Sequence, residues 1–216
     1  MVIQDILAGV IAIIIAYLLG SIPSAYIAGR IKRGKDIRQL GGGNVGARNT
    51  FYEVGKAAGV AVAIFDIGKG AAAAAIALWL LDVHPYFVLA AGLAAVGGHI
   101  WSVFLGFTGG NGLGTTIGAL SVLLPWELLI AVGLIILLII LTRNPVLSTN
   151  ISLLFVPVST WFLQKSWPHV IFCIGLVVMM VLHFLPTARA AIVNAGSKER
   201  FLAELLRRNK TNEEKM

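Results

Sequence analysis

Two glycine-dense stretches carry the residue types that a bound anion requires. The first, Gly41-Gly-Gly-Asn-Val-Gly-Ala-Arg-Asn49, places glycine at four of its first six positions. Such a backbone can pass through positive φ and aim its N–H groups at a ligand. Asn44 and Asn49 add side-chain amides, and a basic cluster of Arg30, Lys32, Arg33, Lys35 and Arg38 stands just before them. The second stretch, Phe107-Thr-Gly-Gly-Asn-Gly-Leu-Gly114, follows another hydrophobic run. Together they suggest a site for an anionic, phosphorylated ligand; the plainer alternative is that glycine only lets two surface loops turn. No Walker lysine-serine pair and no G-x-G-x-x-G after a strand is present, so nucleotide-binding motifs find no support.

Other polar residues admit two readings each. Arg48 and Tyr52 stand at helical i,i+4 spacing, so they can share a face and grip a phosphate; alternatively Arg48 snorkels to lipid headgroups. Asp66 and Lys69 lie three apart inside a hydrophobic run, where ionisable groups are costly and normally paired. They form either a packing pair or a support for the loops. His99 reads as a packing hydrogen bonder. His183, with Arg189 close by in sequence, suits a phosphate donor or a proton carrier. His84 and His169 fall at outer ends and read as interfacial. No His, Cys and Asp grouping has metal-ligand spacing, and no Gly-x-Ser-x-Gly elbow is present.

The elements that must position these groups follow from composition. A mean hydropathy of +0.88, with 58% hydrophobic and 12% charged residues, excludes an ordinary soluble domain and indicates an all-α polytopic membrane protein. Seven hydrophobic segments are expected: Ile6–Gly29, Ala57–Leu81, Tyr86–Leu105, Leu113–Leu124, Leu128–Leu141, Val146–Leu163 and His169–Leu185. Merging the fourth and fifth would give a helix of about 43 Å at 1.5 Å per residue, longer than a bilayer's hydrocarbon core, so a tight turn at Pro125 is preferred. The N-terminus lacks a positive n-region, so the first segment reads as a retained span. A lone cysteine, Cys173, precludes an intrachain disulfide framework.

Charge sets the expected orientation. With the N-terminus outside and the C-terminus cytoplasmic, only Lys165 lies on the outer side and Lys69 within a span; the rest of the 17 Lys and Arg residues face inward, as the positive-inside rule asks. The net charge of +7 thus points to anionic lipids and not to nucleic acid. The inner face then gathers Arg30–Lys56, Gly106–Gly112, Thr142–Pro145 and the tail after Pro186. Channels and carriers usually need polar features on both sides; a one-sided arrangement suits an enzyme of the inner membrane with a cytoplasmic active face. Residues 1–186 read as one membrane domain. Residues 187–216 read as a basic tail, in which Ser197–Arg208 is either an interfacial amphipathic helix or a solubilising segment.

The motifs resemble those of the bacterial acyl-phosphate:glycerol-3-phosphate acyltransferases, the PlsY family. The first loop is similar to that family's Gly-Ser-Gly-Asn-x-Gly-x-Thr-Asn, and Asp66-Ile-Gly-Lys-Gly70 to its Asp-x-x-Lys-Gly. Gly98-His-Ile-Trp-Ser-Val-Phe-Leu-Gly-Phe-Thr-Gly-Gly-Asn-Gly112 is similar to Gly-His-x-x-Pro-x-Phe-x-Gly-Phe-Lys-Gly-Gly-Lys-Gly. His183 with Arg189 resembles a carboxy-terminal histidine and arginine. The match spans nearly the whole chain in order. It implies seven spans with the motifs inside, and transfer of a fatty acyl group from acyl phosphate to the 1-hydroxyl of glycerol-3-phosphate, giving lysophosphatidic acid for phospholipid synthesis. It also implies that membrane lipids are partners and that no cofactor or metal takes part.

In this picture Gly41, Gly43, Asn44, Gly46 and Asn49 help form the pocket for phosphate and acyl carbonyl. Gly109, Gly110 and Gly112 shape a second wall, and Asn44 and His183 are the candidate catalytic groups. The chain departs from the pattern at several positions. Gly42 replaces the family serine, Arg48 a threonine, Tyr52 an arginine, Thr108 and Asn111 two lysines, and Pro186 an asparagine. The serine-bearing third motif is only loosely met by Thr142-Arg-Asn-Pro-Val-Leu-Ser148. Arg48, with Arg143, is the expected replacement for the lost cations. The alternatives are a paralogue using a different phosphorylated acceptor, or a non-catalytic lipid-binding or carrier protein on the same fold.

Overall fold

The structure, a computed structural model, describes residues 3–195 of the 216. The expected tail helix at Ser197–Arg208 lies outside the described residues. Among those described, the chain is helical throughout: α1 (Ile3–Ser21), α2 (Ser24–Arg33), α3 (Ala47–Glu53), α4 (Lys56–Ala75), α5 (Pro85–Ile100), α6 (Leu113–Leu123), α7 (Pro125–Thr142), α8 (Pro145–Gln164) and α9 (Trp167–Ala195). Four stretches are long and apolar enough to cross a bilayer: Ile3–Arg33, Lys56–Leu80, Pro125–Thr142 and Trp167–Leu185. Pro85–Ile100 and Leu113–Leu123 are shorter apolar helices.

Proline and left-handed residues punctuate these helices. Pro85, Pro125 and Pro145 each open a helix, where the missing N–H costs nothing. Leu124, at φ −143° and ψ 62°, separates α6 from α7, as a tight turn requires and one continuous helix would not. Arg143 and Lys165, both at positive φ, end α7 and α8. Two expected spans are corrected. Pro23 divides the first into α1 and α2, because proline cannot donate to the preceding turn. The third stops at Ile100, not Leu105; Trp101 leaves helical geometry at φ −121°, ψ 70°, and Val103–Leu105 form a separate 3₁₀ turn. At the far end, α9 continues past Leu185 to Ala195.

The bundle is lined with small residues inside and bulky ones outside. Ile3, Ile31, Ile64, Trp79, Leu80, Ile140 and Phe162 are exposed, while Ala12, Ala16, Ala74, Ala77, Ala91, Ala95 and Ala119 are buried. Lipid removes the hydrophobic drive between helices, so small residues that let backbones approach must supply it. Gly20 of α1 lies against the Ala95 backbone of α5, and Gly98 of α5 against Tyr17 and Ser21. In the same way Gly70 of α4 meets Thr115, and Gly118 of α6 meets Ile67. A larger cluster built on Ile100, Leu120, Leu124, Phe172 and Leu176 joins α5 and α6 to α9.

Adding one methyl group at these contacts is expected to separate the helices. Gly118→Ala should lose about 2 kcal/mol through overpacking, whereas Gly133→Ala, with open space around its Cα, should be neutral. Unfolding in mixed micelles compares the two; equal midpoints would contradict the close-approach account.

Candidate active site

The first glycine stretch is a folded loop fastened from both ends. Gly34, at φ 65°, closes α2. The Asp36 carboxylate accepts from the Arg38 backbone N–H at 3.0 Å and so starts a 3₁₀ turn whose Ile37 side chain is fully buried. Gly41 and Gly43 then reverse the chain at φ 52° and 71°. Asn49, one turn into α3, holds the result together. Its amide N–H groups are shared among the carbonyls of Leu40 (3.0 Å), Asn44 (3.0 Å) and Ile37 (3.3 Å), and its oxygen accepts from Gly42 N–H at 3.3 Å. A side chain so committed shapes the loop and has little capacity left for a ligand. The Asn44 amide folds over Gly46 and makes no side-chain hydrogen bond among the described residues.

The second stretch is a tight hairpin after α5. Ser102 and Thr108 pair across it, Phe107 N–H donates to the Ser102 carbonyl at 2.8 Å, and Gly110 N–H donates to His99 O at 3.1 Å. Gly112, at φ 82°, opens α6. The two loops meet at Gly110, which lies between the His99 ring and the Val45 carbonyl; a Cβ there would overlap both. Gly109 lies equally close to the carbonyls of His99 and Ile100.

Arg38 clasps the loops together. Its Nε and Nη2 grip the Asp36 carboxylate, the closest contact being 2.7 Å. Nη1 donates across the junction to Thr108 Oγ1 at 3.2 Å and Leu105 O at 3.4 Å. The guanidinium also lies 5.8 Å from the centre of the Tyr26 ring. The Arg38 hydrogen bond holds the Asp36 carboxyl below its ordinary value of 3.8, against the opposing effect of burial.

Beneath both loops lies a buried polar floor. The break at Pro23 leaves the carbonyls of Ser21 and Ile22 without their helical partners. Ser102 Oγ donates to Ser21 O at 2.6 Å, and Lys69 Nζ donates to Ile22 O at 2.9 Å. Lys69 is also paired with Asp66 at 3.0 Å, while Ser24 Oγ donates to the same Asp66 oxygen at 2.7 Å. His99 Nδ1 stands 3.6 Å from that oxygen, and Tyr17 OH donates to Trp101 O at 2.8 Å. The Asp66–Lys69 pair is therefore both a packing pair and a support for the loops. A cavity of about 10 Å³ remains between Ser21, Ile22, Lys69, His99, Ser102 and Gly109, room for about one water molecule.

Helix register carries the remaining candidates to this end. Gly92 meets Phe172, Leu93 meets Gly175, and Gly97 meets Met179, so α5 and α9 run parallel. One turn further, half-buried His183 is level with Trp101 and the second loop. Gln164 at the end of α8 donates to Glu127 at the start of α7 (3.0 Å), and Thr160 of α8 contacts Cys173 of α9 (3.3 Å). These helices alternate in direction, which brings the α7–α8 turn with exposed Arg143 to the same end as His183. Arg48 is exposed on the first turn of α3. The structure thus joins Val45 to Gly110 directly and brings His183 and Arg143 to the same end of the bundle. Asp36, Ser24, Tyr17 and Tyr26 escaped the sequence reading, which had Arg38 only as one of a basic cluster and Ser102 only within a motif; Pro23 and the Asp36-x-Arg38 spacing were the available signals.

Two consequences are measurable. Lys69→Met should cost about 3–5 kcal/mol, since it strands a buried carboxylate, and Lys69→Met/Asp66→Asn should recover most of it; a double variant no better than the single would contradict the pairing. For Asp36, the folded pKa lies below the unfolded one. Its ion pair therefore adds stability above pH about 4 that disappears as pH falls through the folded value. Wild type and Asp36→Asn should differ at neutral pH and converge in acid, as read by unfolding across pH.

The site's two-loop construction has relatives. The glycerol-3-phosphate acyltransferase family model matches residues 10–192. A protein named glycerol-3-phosphate acyltransferase 1 from Dehalococcoides mccartyi is 38% identical over 206 residues, 93% of this chain and 99% of that protein. One named glycerol-3-phosphate acyltransferase from Endomicrobium trichonymphae is 36% identical over 88% of this chain and 96% of that protein. Among solved structures, PlsY (YgiH), described as an integral membrane glycerol 3-phosphate acyltransferase, superposes with a TM-score of 0.74 in its glycerol 3-phosphate form. It is 26% identical, covering 86% of this chain and 92% of PlsY. Its lysophosphatidic acid form gives a TM-score of 0.73. Motifs, fold and relatives agree: this chain belongs to the glycerol-3-phosphate acyltransferase family.

Proposed function

We propose that this membrane acyltransferase moves a fatty acyl group from acyl phosphate to the 1-hydroxyl of glycerol-3-phosphate. The observation that carries the reading is the junction at Gly110, where the two glycine loops touch above one buried ion pair. The proposed topology has seven spans, α1 with α2 and then α4 through α9. It puts the N-terminus outside and both loops at the cytoplasmic face of the inner membrane, where the Lys and Arg residues concentrate.

No protein nucleophile is needed, because acyl phosphate is already an activated anhydride. The acceptor hydroxyl oxygen forms the ester bond to the acyl carbon, the bond from that carbon to the phosphate oxygen breaks, and inorganic phosphate leaves. The hydroxyl proton passes to the departing phosphate or to His183. The protein supplies positioning and charge stabilisation. Gly41 and Gly43 turn the loop, whose Gly42 and Gly43 N–H groups are taken up by Asn49 and Leu40, so that Gly46 N–H and the Asn44 amide face the phosphate and the developing carbonyl oxyanion. Gly109, Gly110 and Gly112 keep the second wall close. Arg48 and Arg143 supply cations that the lysine-to-Thr108 and lysine-to-Asn111 differences remove, and Asn49 serves by holding the loop's shape. The carrier alternative gains no support from helix contacts closed by glycine against backbone.

Purified protein given acyl phosphate and glycerol-3-phosphate should yield lysophosphatidic acid by mass spectrometry. Arg48→Ala should lower kcat/KM roughly 10- to 100-fold, as the loss of a charge-assisted hydrogen bond does, with the fold unchanged. Wild-type protein that makes no product with this pair would overturn the donor and acceptor assignment, and unaltered kinetics would remove Arg48 from the site.

A further inference from the structure

The second glycine loop carries an apolar tip that acyl transfer does not explain. Phe104 and Phe107 are 58% and 63% exposed, and Val103 41%. The loop is nevertheless firmly held. Leu105, between the two phenylalanines, is buried in a cluster with Ile37, Val45 and Val54, and Thr108 is tied to both Ser102 and Arg38. Phe107 also sits at φ 60°, a left-handed conformation that disfavours a bulky side chain. A rigid frame thus presents two outward phenylalanines, one of them in strained backbone. Arg38, which braces this loop, and Arg30 flank the same Tyr26 ring, at 5.8 and 5.2 Å. On α2, Ile27 and Ile31 are exposed one turn apart, followed by exposed Lys32, Arg33 and Lys35.

We propose that the Phe104–Phe107 tip and the basic end of α2 form one lipid-binding surface, which seats the loop in the interface of the leaflet at this end and selects its anionic phospholipids. Aromatic side chains beside cations match the two halves of such a lipid: the rings and the α2 isoleucines meet acyl chains, and the cations meet the phosphate. The positive charge beside the rings favours anionic over zwitterionic headgroups. Seated in this way, the hairpin that ends in Gly109 and Gly110 is fixed at the depth where fatty chains and soluble phosphates meet. The inference rests on membrane placement and holds whether or not acyl phosphate is the donor.

The one cysteine, buried Cys173, makes the test direct. In a Cys173→Ser background, spin labels are placed at Phe107→Cys, Phe104→Cys and, as an aqueous reference, Gly42→Cys, which is exposed with open space around it. The full chain is reconstituted into phosphatidylglycerol–phosphatidylcholine vesicles. At positions 104 and 107, collision with oxygen over a water-soluble nickel chelate should exceed the reference ratio at least several-fold. A ratio equal to that at position 42 would overturn the proposal. So would labels shielded from both reagents, which would mean that another segment of the chain covers the tip. Native mass spectrometry of Lys32→Gln/Arg33→Gln/Lys35→Gln tests the headgroup half: retained phosphatidylglycerol should fall several-fold relative to phosphatidylcholine, and an unchanged ratio would overturn the claimed selectivity.

Discussion

The buried Asp66–Lys69 pair is the constraint on which the rest of the site depends. Two charges inside an apolar bundle persist only when paired and supplied with further hydrogen bonds. Here those bonds come from the places where α1 and α5 give out. Pro23 opens the first helix and exposes the Ile22 carbonyl, which Lys69 takes up, while Ser24 just beyond it satisfies Asp66. The ionic pair and the helix break therefore stabilise each other. Without the break, Lys69 would lack its carbonyl; without Lys69, the Ile22 carbonyl would keep only the Ser24 N–H at 3.1 Å.

That junction sets the floor, and glycine sets the distances above it. At Gly20, Gly98, Gly70 and Gly118 the missing side chain lets one backbone rest on another, so α1 with α5 and α4 with α6 become closely packed pairs. The same device recurs at Gly109 and Gly110, where it joins two loops instead of two helices. Gly110 N–H is itself taken up by the His99 carbonyl, so these glycines fix the distance between the loops and do not themselves supply donors.

The departures from the family pattern make physical sense around Arg38. Where the family pattern that the second loop resembles has a lysine, this chain has Thr108, and Arg38 donates to its hydroxyl. The cation stays near the second loop but is partly neutralised by Asp36, so it serves as a clasp between loops. Arg48 and Arg143 are exposed at the same end of the bundle, and in the proposed function they meet the substrate's charge.

The sequence by itself determined the helical membrane class, the break at Pro125, the glycine loops and the family, because hydropathy, proline and glycine act locally and do not depend on distant neighbours. Only the tertiary structure decided what those residues do. Asn49 has the composition of a ligand-binding amide, yet the curl of its own loop consumes its hydrogen bonds. Pro23 sits in an unbroken apolar run, and nothing local tells that Lys69, 46 positions away in the chain, waits for the carbonyl it frees. Arg38 looks like one of five basic residues before a loop until Thr108 is folded against it. Each role is set by partners distant in sequence, and the pairing of hydrogen-bonding groups across helices appears only when the chain is closed.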